Sequence, residues 1–327
     1  MAVPLVDSYG RIHRDLRISV TDRCNFRCTY CMPAEGMTWQ PRDELLSFEE
    51  ISRVASLMVE RFGVDNIRLT GGEPTVRAQL PRLVSMLAEL PVDLALTTNG
   101  ATLALVAEDL ARAGLRRINV SCDSLRRERF AEITKRDSLD KVLDGIDAAL
   151  TAGLAPVKLN VVVMRGVNED ELVDFADYGR RTGVVVRFIE FMPLDAQEQW
   201  TARQVVTYDE IVARIGSVYP LEEVARGSAP AERFRYADGG GEIGVIASVT
   251  RSFCSTCDRV RLTADGQFRT CLFATDDHDL RGALRGGASD DELAAIVSSA
   301  VAGKWAGHGI GQVHFIRPNR SMSQIGG

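Results

Sequence analysis

The 327-residue chain contains no apolar run approaching the roughly 20 residues that span a bilayer. Residues 1–14 lack the apolar core of a signal peptide. The expectation is a cytoplasmic protein that does not meet a membrane. A basic balance is also missing: 39 Lys and Arg against 45 Asp and Glu leave a net charge of -6. That excludes the usual profile of a protein that binds a nucleic-acid polymer, although arginines clustered in one pocket can still hold a small anion. Paired cysteines are missing as well. The seven cysteines are an odd number, and in a reducing compartment they are free thiols or metal ligands rather than disulfides. A chain of this length buries a large core unaided, so a metal site here serves chemistry rather than folding.

What is present is an alternation of strands and helices. Short, nearly continuous runs of Val, Ile and Leu lie at 16–21, 67–70, 94–98, 118–121, 157–164 and 184–191. This is the pattern of strands buried on both faces of a parallel sheet. Amphipathic segments separate them. The clearest follows Ser47, with Glu50 three residues on as a capping box and Gly63 after the last turn. Further helices are expected at 80–90, 103–113, 139–152 and 169–181. Six βα units predict an α/β fold, a partial (β/α)6 TIM-like barrel, with ligands at the C-terminal ends of the strands. The barrel domain is assigned to residues 1–220, with one more helix at 207–215. Residues 221–327 form a C-terminal region: a loop or linker at 222–241, an Asp265-Gly266 hairpin joining 259–263 to 267–272, a helix from Ser289 to near Gly303, and a polar tail.

Cys24, Cys28 and Cys31 follow the first strand with spacing C-x3-C-x2-C. Three thiolates this close can ligate three irons of a cubane cluster. No fourth cysteine is nearby, so one iron is left open to coordinate another molecule. A zinc knuckle completed by a distant ligand is the plainer alternative. A second trio, Cys254-x2-Cys257 and Cys271, brackets the hairpin. It reads either as structural zinc with His278 as fourth ligand or as a second three-cysteine cubane. Arg259 and Arg261 alternate on the strand straight after Cys257 and share one face, which favours an anionic ligand such as a phosphate.

The first trio, with Tyr30 before its last cysteine, and Gly71-Gly72-Glu73-Pro74 after the second strand resemble the radical S-adenosylmethionine superfamily. Within it, Arg68–Pro74, Thr97–Gly100, Asn119–Ser124, Lys158, Arg187–Met192, Cys254–Arg261, Cys271 and the terminal Gly326-Gly327 resemble the GTP 3',8-cyclase family over nearly the whole chain. The resemblance implies two [4Fe–4S] clusters, one on Cys24, Cys28 and Cys31 and an auxiliary one on Cys254, Cys257 and Cys271. It implies S-adenosylmethionine lined by Tyr30, Gly72, Ser121 and Met192. GTP would be bound by Arg17, Arg68, Thr97, Lys158, Arg259 and Arg261, and Gly326 and Gly327 would enter the active site as a catalytic tail. Cys122 is expected to be buried and in neither cluster.

The implied reaction is a lyase reaction that opens molybdenum-cofactor biosynthesis. A 5'-deoxyadenosyl radical takes hydrogen from ribose C3' of GTP, the C3' radical attacks guanine C8, and reduction and protonation follow. The implied partners are GTP, an external electron donor and the next pathway enzyme, cyclic pyranopterin monophosphate synthase, with the chain a monomer or homodimer. Both clusters are expected to face one barrel mouth. A peptide-modifying radical enzyme with an auxiliary cluster, and a non-enzymatic iron–sulfur or zinc regulator, are the alternatives.

Overall fold

A computed structural model describes residues 2–32, 37–195, 200–227, 229–313 and 315–326. Six parallel strands stand side by side in chain order: β1 (Asp15–Ser19), β2 (Asn66–Thr70), β3 (Asp93–Thr98), β4 (Arg117–Ser121), β5 (Val157–Val163) and β6 (Val185–Glu190). They occupy the six runs that the apolar pattern marks. Between them run α1 (Phe48–Phe62), α2 (Leu80–Ala88), α3 (Ala107–Arg112), α4 (Arg127–Thr134), α5 (Leu139–Thr151) and α6 (Leu172–Thr182). The capping box of α1 forms as expected, with Ser47 Oγ accepting from Glu50 N at 3.1 Å and Ser47 N donating to Glu50 at 2.7 Å. The helices cover the outer face of the sheet, where Leu16, Ile18, Ile67, Leu69, Leu94, Leu96, Ile118 and Val120 are buried in one continuous core.

Several elements differ from expectation. Helix 103–113 is a 3-10 turn, Leu103–Leu105, broken at Val106 before α3 begins. A turn at Glu169–Glu171 precedes α6, and α4 had no clear apolar period to announce it. The stretch 222–241, expected to be a loop, holds most of a hairpin of β7 (Leu221–Val224) and β8 (Glu232–Tyr236). Only Phe234 and Tyr236 of β8 are buried, while Arg235 is exposed. The two aromatics of β8 do not stand out among arginines, alanines and glycines, and β7 has none. The next strand, β9 (Glu242–Ile246), pairs antiparallel with β8 and parallel with β6.

The Asp-Gly hairpin forms as β10 (Arg259–Leu262) and β11 (Gln267–Arg269), followed by a two-residue β12 (His278–Asp279). β10 pairs parallel with β1. The twelve strands therefore form one sheet, β12-β11-β10-β1-β2-β3-β4-β5-β6-β9-β8-β7, with eight parallel strands at its centre. The remaining helices are α7 (Tyr208–Gly216), α8 (Leu280–Arg285), α9 (Asp290–Ala302) and α10 (Met322–Ile325). Among the described residues no helix is long and apolar enough to cross a membrane.

Glu190, at the end of β6 and fully buried, joins the barrel to the segment leading into the second cysteine trio. It accepts from Tyr208 N at 2.9 Å, from Val249 N at 2.7 Å, from Thr250 N at 2.8 Å and from the Thr250 hydroxyl. Glu190→Ala strands these donors and should cost about 3–5 kcal/mol of stability, measured by denaturant unfolding.

Candidate active site

The register of the parallel strands composes the inner face. Arg17 stands opposite Arg261 on one side and Arg68 on the other. Thr97 stands opposite Asn119, Asn119 opposite Lys158, and Asn160 opposite Arg187. Neighbouring strands lie about 4.8 Å apart, so polar and cationic side chains of seven strands converge where most barrels carry apolar layers. Arg17, Arg68, Thr97, Asn160, Arg187 and Arg261 line a cavity with about 1650 Å³ of empty space, its open mouth included.

Both cysteine trios open on this cavity. So do Tyr30, Gly72, Ser121, Met192, Arg17, Arg68, Thr97, Arg259 and Arg261. Lys158 lies just outside its lining, one step down β5 from Asn160 on the same face. Gly326 also lies outside the lining but is buried, its carbonyl accepting a hydrogen bond from Arg261. Gly327 falls outside the described residues. Cys122 is buried beneath the end of β4, its thiol on the Ser124 carbonyl at 3.2 Å. His278 pairs opposite Phe268 at the sheet edge and does not line the cavity.

The trios do not share one mouth. Cys24, Cys28 and Cys31 follow β1, at the C-terminal ends of the parallel strands. Cys254 and Cys257 precede β10, which runs parallel to β1, so they enter near where β1 begins. Cys271 follows the antiparallel β11 back to that same end, since Arg269 is opposite Arg261. The cations lie between the two trios.

The loop after β2 holds the first trio in place. Gly72 N donates to Thr21 O and Glu73 N to Arg23 O, both at 2.7 Å. A Cβ on Gly72 would lie 2.4 Å from Arg23 O and 2.5 Å from Asp22 O. Glycine is needed there for backbone to pass backbone, independently of any ligand. Glu73, fully buried, accepts from Thr75 N at 3.0 Å, Thr98 Oγ1 at 2.6 Å and Asn99 N at 2.6 Å. Asn99 in turn donates to Asn25 Oδ1 at 2.7 Å and reaches Cys24 Sγ at 3.7 Å. Tyr30 donates its phenol hydrogen to Asp123 at 2.7 Å, and burial pushes that carboxyl up to about 6.

The trios differ electrostatically. Burial pushes the Cys24 thiol up to about 11, Cys31 up to about 12 and Cys28 well above its ordinary value. At the second trio burial is outweighed. Hydrogen bonds from His308 and Ser252 bring Cys254 down to about 6, and the Arg259 and Lys304 charges lower Cys257. Among the described residues no three His, Cys, Asp or Glu side chains converge as one ion requires. Ligands of a cubane each take a different iron and must surround a volume, not a point. Thiol trios lining a cavity fit a cluster better than a zinc ion.

Three guanidinium nitrogens on the cavity wall, Arg17 Nε, Arg68 Nε and Arg187 Nε, are buried without a hydrogen-bond partner, as is Asn160 Oδ1. Burial and then neighbouring arginines bring Lys158 down to about 8, and burial, Arg68 and Arg117 bring Arg187 down to about 9. Arg17 has Asp15 at 4.0 Å and Arg187 also donates to Asn119, but the unfilled Nε donors and the excess of buried positive charge call for an anion. The sequence reading did not single out Arg187, Asn99, Asp123, Asn160 or His308 as site residues. Alternation with Lys158 on β5 is the signal that points to Asn160; His308, far from the trio in sequence, offers none.

Two family models match the chain: the radical SAM superfamily over residues 18–179 and Molybdenum Cofactor Synthesis C over 184–310. A GTP 3',8-cyclase of Rhodococcus opacus (strain B4) is 50% identical over 99% of this chain and 93% of its own length. The chain belongs to the GTP 3',8-cyclase family. A member from Streptomyces coelicolor is 49% identical over 99% of this chain and 96% of its own. Among solved structures, Streptococcus suis SuiB bound to S-adenosylmethionine shares the fold at TM-score 0.60 and 12% identity. The match covers 80% of this chain and 61% of SuiB. Methylornithine synthase (PylB) matches at TM-score 0.55 and 16% identity, covering 88% and 86%. The radical SAM match thus runs from the end of β1 through β5 and into α6, and the second match covers β6 to β12.

Two tests follow from the geometry. Gly72→Ala should separate the two loops, lowering the thermal midpoint and the iron retained by the first trio, read by calorimetry and iron assay. Lys158→Met should stabilise the ligand-free protein at pH 7. Between about pH 8 and 10.5 the unfolded chain keeps a proton that the folded chain has lost, so stability rises with pH through that window. The advantage of Lys158→Met should therefore be full below pH 8 and gone above 10.5, as followed by thermal melts across pH.

Proposed function

We propose that the chain cyclises GTP to (8S)-3',8-cyclo-7,8-dihydroguanosine 5'-triphosphate, a radical S-adenosylmethionine reaction at the start of molybdenum-cofactor synthesis. Family membership supports this reading. The observation that carries it is one cavity lined by both thiol trios, with buried arginines between them whose Nε donors lack a hydrogen-bond partner. When bound, a reduced [4Fe–4S] cluster supplies the electron that splits S-adenosylmethionine into methionine and a 5'-deoxyadenosyl radical.

The protein's part is binding, orientation and exclusion of water. Cys24, Cys28 and Cys31 hold the first cluster with one iron free, and Tyr30, Gly72, Ser121 and Met192 border the S-adenosylmethionine site. Support comes from Tyr30, whose ring stands edge-on to Phe191 with centroids 6.5 Å apart while Asp123 fixes its hydroxyl. Cys254, Cys257 and Cys271 would hold the second cluster, which would supply a metal site for the guanine. Arg17, Arg68, Thr97, Lys158, Arg259 and Arg261 take up the rest of the nucleotide. A triphosphate among these cations relieves their mutual repulsion and supplies the missing acceptors. Phe26, Val162, Ile189, Phe253 and Phe273 complete the wall, keeping water and loose hydrogen donors from a carbon radical. The Gly326 carbonyl accepts from Arg261, and the Gly326-Gly327 tail takes part in the reaction. Electrons come from an external donor, and the product passes to cyclic pyranopterin monophosphate synthase.

Anaerobically reconstituted protein should hold about eight irons per chain, as two cubanes require. It should also form 5'-deoxyadenosine in a GTP-dependent manner. Bound zinc without iron, or no dependence on GTP, would overturn the reading. Arg68→Ala should weaken GTP binding roughly 10–100-fold, the worth of a charged hydrogen bond, with the iron count unchanged.

A further inference from the structure

Beneath the second cysteine trio lies a buried row of charges that neither family model includes in full, since the first 17 residues lie outside both. Lys304, 4% exposed, follows α9. Its ammonium donates to Arg259 O at 2.7 Å, meets His13 Nδ1 at 3.3 Å and reaches Cys257 Sγ at 3.9 Å. An ammonium has three hydrogens to donate and nothing with which to accept, and here it has three acceptors. His13, fully buried, passes the contact on: with Nδ1 accepting from Lys304, its Nε2 donates to Asp7 Oδ2 at 3.0 Å. Burial and the Lys304 charge bring His13 down to about 4, so it is neutral at pH 7. Asp7 also accepts from Arg11 Nε at 2.6 Å. Arg11 also ties the loop that carries the trio to the segment after α9, donating to Cys254 O and Ala306 O at 2.8 Å and to Trp305 O at 2.6 Å. None of these four side chains lines the cavity, so binding nucleotide does not explain them.

We infer that Lys304, held by His13, Asp7 and Arg11, is a positioning residue for the cluster on Cys254, Cys257 and Cys271, and that its charge raises that cluster's reduction potential. The inference rests on the proposed function, which puts a cluster there. Reduction adds negative charge to a cluster, and a fixed cation beside a ligating sulfur favours the reduced form. Hydrogen bonds to sulfur and local net charge are the protein's means of setting such potentials. The row carries Asp7 negative, Arg11 and Lys304 positive and His13 neutral, a net of one positive charge facing the trio. Its backbone bonds to Cys254 and Arg259 fix the two ends of the cysteine loop, so the charge and the loop are positioned together.

The sign of the shift separates this role from structural support. The full chain carrying Cys24→Ala, Cys28→Ala and Cys31→Ala isolates the second cluster for potentiometric EPR titration under anaerobic conditions. Lys304→Met should lower the midpoint potential, and Asp7→Asn, which removes the opposing charge, should raise it. Lys304→Arg should restore the parent value. Loss of iron to a chelator should be several-fold faster in Lys304→Met than in the parent. An unchanged potential in Lys304→Met, or shifts of the same sign in Lys304→Met and Asp7→Asn, overturns the inference. Should thermal melts show Lys304→Met unfolded, Asp7→Asn decides alone: a raised potential supports the inference, and an unchanged or lowered one overturns it. A parent protein that binds no iron, instead of about four per chain, refutes the second cluster itself and thereby the proposed function, a result distinct from failure of the charge effect.

Discussion

Like charges pressed together by strand register are what the rest of this molecule is built to withstand. Arg261, Arg17 and Arg68 are lateral neighbours on three adjacent parallel strands, and hydrogen bonding between those strands leaves them no room to part. Burial and mutual repulsion disfavour the charge on Arg17, yet guanidinium groups do not give up their protons in proteins. The opposite face of the same strands supplies the compensation. There Leu16, Ile18, Ile67 and Leu69 are essentially without solvent contact, and each fully buried side chain contributes about 1.5–3 kcal/mol. The sheet spends on its inner face some of the stability gained on its outer face, and the return is an anion site prepared before any anion arrives.

The two thiol trios sit in opposite electrostatic settings for reasons of chain position. The first lies in a loop packed on the carboxylate-bearing loop after β2, and burial there disfavours thiolates. The second lies beside a strand that starts with arginine and is backed by His308 and Lys304, which favour the thiolates of Cys254 and Cys257. Thiolates bind metal and thiols do not. Assembling iron on the first trio releases protons that must be removed at some cost, whereas the second is poised for it.

How much of this was legible in the sequence depends on how far apart the cooperating residues lie. The six central strands are continuous Val, Ile and Leu runs, and burial on both faces leaves no alternative pattern. The C-x3-C-x2-C loop is local, and the Asp-Gly hairpin places Cys271 opposite its pair. By contrast, β7 presents glutamates outward and β8 an exposed Arg235, and both bury few large residues, so their polar majority reads as loop. The parallel pairing of β10 with β1 joins residues more than 240 positions apart, and no local pattern announces it. That pairing alone brings Arg261 beside Arg17 and puts the second trio at the far end of the cavity. Lys304 and His13 were unreadable for the same reason: a lone lysine after a helix gives no sign that a histidine 291 residues earlier accepts its hydrogen.

Glu73 has a further consequence. Its two oxygens take hydrogens from the β3 terminus and from the turn at Thr75, while its amide is bonded to the cysteine loop. Loops that belong to three strands therefore behave mechanically as one plate. A side chain changed on any of them is felt by the other two, so natural variation at these positions should be correlated rather than independent. A loop transplanted from a distant barrel would bring the cysteine spacing without the plate that gives the spacing its meaning.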